Sequence, residues 1–426
     1  MKEEFIRYLW QCQYFRKSNL KTTEGKPLTI YHTGYANYDA GPDFYEAKIK
    51  IDDLEWIGSV EIHVRSSDWL KHKHDYDTAY GNVVLHVVWE NDLPIHDQQN
   101  RLIPTLELKN IADKNRIMHY ERFMQNDNDI LCGQHLQEAE PIIKASMFEK
   151  VLIERLHKKA NNVLEQYQQN DQQWEQTAYN LLAYAMGLKI NAEPMLQLSK
   201  ITPYYLIQKL RHTPTLVEAL LFGQAGMLSE KYQDDYPAFL LREYNYLCHK
   251  HNLSSLKAHR LSWKFLRTRP ANFPSVRIAQ LCAILTYTQN IFSLFTDTES
   301  YLDIMPHFYR LPTNYWHTHY MFDKSYPSQT RPVLGQQTAH SLLINAVIPV
   351  LAAYSLHTKD DTYLQRALSW LSELSPEKNS ITKKWQLCGE KIKTAFDAQA
   401  LIGLYNDYCK EHKCLRCEIG NYILKK

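Results

Sequence analysis

Apolar and polar positions in the first 110 residues follow the two-residue period of β-strands, after one short helical stretch. Phe5, Leu9 and Cys12 recur at helical spacing and predict a first helix. Strands are predicted in PLTIYH, DFYEAKIKID, EWIGSVEIHV and NVVLHVVWE, the last apolar enough to be covered on both faces. LPIHD and RLIPTLELKN predict a hairpin. The expected order is helix, three strands, a helix or loop, and a buried strand.

The apolar period becomes helical beyond this sheet. KASMFEKVLIERLHKKANNVLEQYQQ outlines an amphipathic helix, and nearly every later segment to residue 409 has helical spacing without strand-like runs. Pro and Gly residues between these segments mark helix ends. The sequence therefore predicts an α+β protein, with a mixed-sheet domain over residues 1–112, a linker over 113–144 and an all-helical domain over 145–426.

The composition argues against a membrane-spanning, a secreted or a strongly basic protein. The chain has 426 residues with 44% hydrophobic and 12% aromatic content, and no apolar run approaches the roughly 20 residues of a membrane-spanning helix. No secretory signal is visible, so the eight cysteines are expected to be reduced thiols in a cytoplasmic protein without a membrane partner. The net charge of +2 gives no strong field that would indicate a nucleic-acid partner.

Two acidic residues and a histidine form the main candidate site. On a strand, Glu61 and His63 project from one face, opposite the apolar residues that alternate with them. Asp43 follows a Gly-Pro turn, just before another predicted strand. Two neighbouring carboxylates attract a divalent cation, here Mg²⁺ or Mn²⁺ with Asp43 and Glu61 as metal ligands. His63 would then accept or orient the proton of a water molecule, which completes a catalytic set of Asp43, Glu61 and His63.

The alternation of the strand leaves one geometric question open. Asp43 has the same parity as Ala47, Ile49 and Ile51, so a regular strand would not turn its carboxylate toward Glu61. The approach requires strand twist, a β-bulge or a position just outside the strand.

Three more histidines offer a second metal site. His72, His74 and His86 join His63 as candidate zinc ligands, and Zn²⁺ is the less favoured cofactor. His72 and His74 flank one residue, a spacing that suits an extended chain but not one face of a helix. Ordinary hydrogen bonding is the alternative for all of them, and His86, inside VVLHVVW, is expected to be a core histidine.

Two clusters lie in the helical part. Residues 259–277 combine basic and aromatic side chains and are a candidate nucleic-acid contact through Arg260, Lys264, Arg267 and Arg269. The alternative is structural, with Trp263 in a buried helix face and the arginines bracing a turn. Near the C-terminus, CKEHKCLRC holds a single CxxC pair, which is expected to be a structural thiol pair because zinc sites usually need two separated ligand pairs.

The order of the elements around Asp43 and Glu61 resembles the PD-(D/E)XK nuclease core. The resemblance implies a restriction-endonuclease-like domain with Asp43 and Glu61 as metal ligands, and His63 at the position of the lysine. It also implies an acidic residue on the first helix, Glu3 or Glu4. Over nearly its whole length the chain is similar to a bacterial family known as domain of unknown function 2851, on the stretches AGPDF, GSVEIHVRSSDW, HKHDYDTAYGNVVLHVVWEND, RTRPANFPSVRIAQL and CLRCEIG.

Two functions follow from these patterns. The first is a metal-dependent nuclease that hydrolyses phosphodiester bonds in DNA or RNA. The alternative is a non-enzymatic scaffold that binds nucleic acid or protein and retains a degenerate nuclease-like core. A lysine at position 63 would favour catalysis, and His63 leaves the alternative open.

Overall fold

The computed structural model describes residues 1–126, 128–253, 261–266, 268–326 and 332–426. The chain divides into two compact units, Met1–Met147 together with Tyr405–Lys426, and Phe148–Leu404. A mixed sheet in the N-terminal part is followed by many helices, which confirms the predicted α+β class. Residues 113–144, predicted as a linker, belong to the first unit, as does the C-terminal segment.

The first unit contains the sheet and four helices. Its helices are α1 (Glu3–Cys12), α2 (Asp68–Lys71), α3 (Lys114–Met124) and α18 (Glu418–Lys425), and α4 (Pro141–Gln169) begins in this unit and continues into the second. The strands are β1 (Leu28–His32), β2 (Tyr35–Ala36), β3 (Phe44–Ile51), β4 (Leu54–Arg65), β5 (Val83–Glu90) and β6 (Thr105–Glu107).

The strands form one mixed sheet in the order β1-β3-β4-β5-β6, with β2 also paired to β3. Strands β1, β3 and β4 are antiparallel neighbours, whereas β5 runs parallel to β4 and β6 parallel to β5. The predicted hairpin is reduced to one bridge between His96 and Leu102, and β6 follows it. The polar segment between β4 and β5 folds as α2 and two 3₁₀ turns, His74–Tyr76 and Thr78–Tyr80.

Strand β4 lies at the centre of the first unit. Its residues Ser59–His63 are buried in succession, so side chains on both faces of the strand are covered. Helix α1 packs against β4 and buries Phe5, Leu9 and Trp10, whose indole Nε1 donates a hydrogen bond to the Thr33 carbonyl at 3.0 Å. Polar groups on β4 therefore sit in a largely dehydrated environment.

The second unit is mainly helical. After α4 come α5 (Trp174–Met186), α6 (Ala192–Lys200), α7 (Tyr204–Leu210), α8 (Pro214–Gln224), α9 (Asp235–His251), α10 (Pro274–Tyr287), α11 (Ile291–Thr296), α12 (Tyr301–Phe308), α13 (Gln336–Leu342), α14 (Ile348–Thr358), α15 (Thr362–Glu373), α16 (Ser380–Leu387) and α17 (Ala395–Leu404). A π-helical turn, Leu343–Val347, joins α13 to α14.

The expectation of no strands in this region is wrong at one place. Strands β7 (His319–Met321) and β8 (Lys324–Ser325) form a small antiparallel ribbon. Asp323, at the turn, adopts a left-handed backbone with φ of 58°. The strands are too short to leave a visible apolar alternation in the sequence.

One helical stretch, Gln336–Thr358, is long and apolar enough by length and composition to cross a membrane. Within its most apolar window 72% of the residues are buried inside the protein. Core helices pass the same test, and this degree of burial is typical of them.

Candidate metal centre

A β-bulge brings Asp43 to Glu61. The β3–β4 register shifts between Phe44 and Ala47, and Glu46 within this interval has a left-handed φ of 55°. Phe44 and Ala47 are both buried although they differ in parity, so the bulge reverses the alternation of the strand. As a result the backbone N–H of Asp43 donates to Glu61 Oε2 at 3.0 Å. The bulge is one of the alternatives that the sequence left open.

Asp43 is held by groups from two other elements. Arg7 on α1 forms an ion pair with its Oδ1, and the backbone N–H of Ile62 donates to its Oδ2 at 3.0 Å. Arg7 also donates to the Asn37 carbonyl. Sequence reasoning missed Arg7, whose one signal is its position four residues after Glu3 on the same helical face. Both carboxylate oxygens of Asp43 therefore already accept hydrogen bonds.

The two candidate glutamates on α1, Glu3 and Glu4, have different neighbours. Glu4 forms an ion pair with Arg416 at 3.2 Å. Glu3 lies within electrostatic range of Asp43 and His72, and its pKa is raised by burial and further by the charge of Asp43. Of the two residues, Glu3 is the acidic group that faces the candidate site.

Three histidines converge beside Glu61. The ligand atoms of His63, His72 and His74 all lie within 4.8 Å of one another, and His63 Nε2 is 3.1 Å from His72 Nδ1. Glu61 Oε1 is 3.4 Å from His74 Nε2 and 3.7 Å from His63 Nε2. Ligand atoms around a tetrahedral zinc ion, with bonds of about 2.0–2.2 Å, are separated by roughly 3.3 Å. Three of these separations, 3.1, 3.4 and 3.7 Å, are close to that value, so the donor set is compatible with a tetrahedral ion.

The backbone between α2 and the following turn explains how His72 and His74 meet. His72 is the C-cap of α2, Lys73 has a left-handed φ of 61°, and His74 begins the 3₁₀ turn. A single left-handed residue ends the helix and changes the direction of the chain. The pair thus converges without the extended backbone that the sequence pattern indicated.

Substitutions of Lys73 test this backbone conformation. Lys73→Gly is expected to match or exceed the wild-type stability, whereas Lys73→Val should lower the free energy of unfolding by about 1–2 kcal/mol, because a β-branched residue strains the left-handed region. Urea denaturation measures both variants. Equal stability of the glycine and valine variants would contradict the assignment.

His86 supports the cluster from within the sheet. Its Nε2 lies 2.9 Å from His63 Nδ1, and the whole residue is buried on β5. His86 lies outside the group of three convergent nitrogens. A hydrogen bond to the second ring nitrogen fixes the orientation of a histidine ligand, and His86 provides this contact to His63.

Burial keeps these imidazoles neutral. Desolvation, followed by the charges of His86, His72 and His74, lowers the pKa of His63 to about 2. Desolvation, with a smaller effect of His74, lowers the pKa of His86 to about 3. Burial also lowers the pKa of His74. Because a metal ion binds the neutral imidazole, the lowered pKa values of His63 and His74 favour the protonation state that coordination requires.

The two carboxylates shift in the opposite direction. Burial, followed by the charge of Glu61, raises the pKa of Asp43 to about 7. Burial raises the pKa of Glu61 to about 8, although the hydrogen bond from the Asp43 backbone opposes this shift. Carboxylates shifted in this way are stabilised in their charged form by an added cation.

An aromatic wall fixes the histidine rings. Tyr80 stacks on His74 with ring centroids 3.8 Å apart, and Trp69 packs edge-on against His63, His74 and His86. Despite this packing, His74 Nε2 makes no hydrogen bond within the described part of the chain. His74 is only 9% exposed, and beyond the 3.4 Å approach of Glu61 Oε1 this nitrogen has no hydrogen bond among the described residues, so a bound ion would satisfy it.

The other predicted clusters are separate from this centre. Among the described residues, the group whose side chains could hold a metal ion consists of His63, His72 and His74. No such group is formed by Cys409, His412, Cys414 and Cys417. Cys414 and Cys417 are buried and form no disulfide among the described residues, and burial raises the pKa of Cys414 to about 12.

The basic cluster of the second unit is described only in part. Arg260 and Arg267 lie outside the described residues, while Lys264 and Arg269 are exposed. Trp263 donates through Nε1 to the Ala225 carbonyl at 2.9 Å. The nucleic-acid contact through these residues stays a prediction.

The first unit is thus an α/β domain in which three imidazoles and one carboxylate form a candidate metal centre. The chain belongs to the family described as Protein of unknown function (DUF2851), whose model matches residues 3–380. No curated protein and no solved structure matches the chain.

Proposed function

We propose that the first unit is a metal-dependent hydrolase that cleaves phosphodiester bonds in nucleic acid. The observation that carries the proposal is the convergence of His63, His72 and His74 within 4.8 Å, beside Glu61 Oε1. Three side-chain ligands with one further position are typical of catalytic zinc sites.

The ligand set favours a particular kind of ion. Imidazole suits Zn²⁺ and neighbouring transition ions, whereas Mg²⁺ takes mainly carboxylate, carbonyl and water oxygens. With the histidines as ligands, Zn²⁺ moves ahead of the Mg²⁺ or Mn²⁺ expected on Asp43 and Glu61. The pairing of Asp43 with Arg7 supports this change, because a guanidinium group repels an ion at the same carboxylate.

The side chains take distinct roles in this proposal. A bound divalent ion would polarise a phosphoryl oxygen and lower the pKa of a water molecule. Glu61 Oε1 faces the histidine nitrogens and would accept a proton from such a water, while the Asp43 backbone N–H holds Oε2. Asp43 positions Glu61, and His63 acts as a ligand rather than as the base.

Two observations support a phosphodiester substrate. The order of elements in the first unit resembles the PD-(D/E)XK core. It consists of α1, the antiparallel strands β1, β3 and β4, the α2 crossover and the parallel strand β5. His72 is exposed, as are Lys73, its neighbour in the chain, and Arg65, two positions after His63. Exposed cations close to the centre in the sequence suit a phosphate group.

The test is hydrolysis by the full chain. Bis(4-nitrophenyl) phosphate, plasmid DNA and single-stranded RNA are incubated with the protein after treatment with a chelator and readdition of Zn²⁺, Mn²⁺ or Mg²⁺. We expect metal-dependent hydrolysis that falls at least 100-fold in His72→Ala, because this variant removes an exposed ligand without opening the core.

The matched control is His96→Ala, an exposed histidine of the same unit outside the cluster. It should retain wild-type hydrolysis. Activity that persists unchanged in His72→Ala, or that is absent with every ion, would contradict the proposed function.

A structural role is the second candidate, and a specific observation favours it. Asp43 and Glu61 are 8% and 5% exposed, and Arg7 already pairs with Asp43. A buried and internally paired centre suits a scaffold that retains a nuclease-like core. Stoichiometric metal without hydrolysis of any tested phosphodiester would support this second function.

A further inference from the structure

A cavity of about 590 Å³ lies within the second unit, apart from the residues of the candidate metal centre. Its walls come from α4, α5, α6 and the segment from α13 to α14. Leu181, Tyr184 and Leu188 contribute apolar surface, and polar groups complete the lining. Its volume falls in the range of about 300–1,000 Å³ that is typical of small-molecule sites. We call it the Lys159 cavity, lined among others by Lys159, Gln166, Tyr184, Leu188, Ser341 and Asn345.

Lys159 is a buried cation in the lining, which also includes the charged residues Glu165 and Lys189. Its Nζ donates to Asn345 Oδ1 at 3.3 Å and to Gln399 Oε1 at 3.4 Å, both long contacts to neutral amides. Among the described residues no carboxylate forms an ion pair with Lys159. Arg155, one helical turn earlier, donates to the same Gln399 oxygen at 3.0 Å. Two cations therefore share one neutral acceptor, which leaves Lys159 able to pair with an anion.

Glu377 organises the acceptors around Lys159. Its Oε1 accepts from Ser341 Oγ and Asn345 Nδ2, each at 3.1 Å, and its Oε2 accepts from Gln399 Nε2 at 2.6 Å. These bonds hold the two amides with their carbonyl oxygens toward Lys159. The network is a preorganised polar site rather than a chance group of exposed side chains.

The backbone at Asn345 is unusual as well. Asn345 lies in the π-helical turn Leu343–Val347, and its Nδ2 also donates to the Ser341 carbonyl at 3.0 Å. Single π-helical turns occur frequently at functional sites. Gln166 also lines the cavity, and its buried Oε1 makes no hydrogen bond within the described residues. An occupant that donates a hydrogen bond would satisfy it.

Burial makes an unpaired ammonium group unfavourable here. The pKa of Lys159 is lowered to about 7 by burial and by the charge of Arg155, with Glu377 opposing the shift. An anionic group beside Nζ would reverse this effect, because it stabilises the charged form.

We propose that the Lys159 cavity binds a small organic anion. The carboxylate of the ligand pairs with the Lys159 ammonium group, and its apolar body packs against Tyr184 and Leu188. This inference does not depend on the function proposed for the first unit.

The probe for the test is decanoate, titrated into the full chain at pH 6 by isothermal calorimetry. Decyltrimethylammonium serves as a cation of the same chain length, and inorganic phosphate as an anion without an apolar body. We expect decanoate to bind with one site per chain and to bind at least 10-fold more tightly than either comparison compound. Lys159→Met should weaken decanoate binding at least 10-fold.

The control is Lys158→Met, the exposed neighbour on the same helix, which should change affinity less than 2-fold. Ala185→Trp, which places a large ring in the cavity, provides a second variant if Lys159→Met fails to fold, and it should abolish binding. Absence of decanoate binding to the wild type, equal binding of phosphate or decyltrimethylammonium, or unchanged affinity in the folded variants would overturn the proposal.

Discussion

The double variant His72→Ala/His74→Ala is expected to lose its transition-metal ion, with affinity for Zn²⁺ reduced by more than 100-fold. These residues supply two of the three convergent nitrogens, and even the loss of an outer partner of a ligand costs roughly 10–100-fold in affinity. His72 is exposed and His74 lies in a short turn, so most of the core of the sheet is unaffected. Metal content after dialysis and competition with a chromogenic chelator measure the affinity.

The matched control is His96→Ala/His135→Ala, which removes two exposed histidines of the same unit. It should keep one equivalent of metal. If both double variants retained the same metal content, the ion would lie elsewhere and the histidine cluster would be a hydrogen-bonded core feature.

Glu218→Ala is expected to destabilise the second unit by about 3–5 kcal/mol, the range for breaking a buried charged network. Glu218 is 1% exposed, and its Oε2 accepts from Tyr236 Oη at 2.7 Å and Trp316 Nε1 at 3.1 Å. Its Oε1 accepts from Thr313 Oγ1 at 2.9 Å. Burial raises the pKa of Glu218 despite these donors. Removal of the carboxyl group leaves these donors facing a void.

Urea unfolding followed by tryptophan fluorescence gives the change in free energy. Glu230→Ala removes an exposed glutamate of the same unit and should stay within about 0.5 kcal/mol of the wild type. A loss below 1 kcal/mol for Glu218→Ala would show that its donors find other partners.

Much of the sheet could be predicted because its signals are local. The helical spacing of Phe5 and Leu9 predicts α1, and the alternation around Glu61 and His63 predicts β4 and the shared face of the two groups. The nearly continuous apolar run around His86 predicts a buried strand, which β5 is. In each case a single pattern of apolar residues extends over the whole helix or strand.

Features set by single backbone conformations could not be predicted. The bulge at Glu46 turns Asp43 toward Glu61, and the left-handed Lys73 brings His72 to His74. Neither residue is a glycine, so the sequence carries no turn signal at these positions. The histidine spacing was visible, but its convergence depends on this local geometry.

Contacts between residues far apart in the sequence could not be predicted either. Arg7 reaches Asp43 across 36 positions, and the C-terminal segment Tyr405–Lys426 joins the first unit from the far end of the chain. No periodicity encodes such contacts, because they arise from packing between elements. The pairing of Arg7 with Asp43 moves the proposed metal ligands from the two carboxylates to the histidines.

The most direct measurement is X-ray absorption at the zinc edge on the full chain loaded with one equivalent of Zn²⁺. We expect a tightly bound ion with three imidazole nitrogens at about 2.0–2.1 Å, and loss of this signature in His72→Ala/His74→Ala. An ion that is not retained, or one coordinated by sulfur or by oxygen alone, would contradict a centre built from His63, His72 and His74.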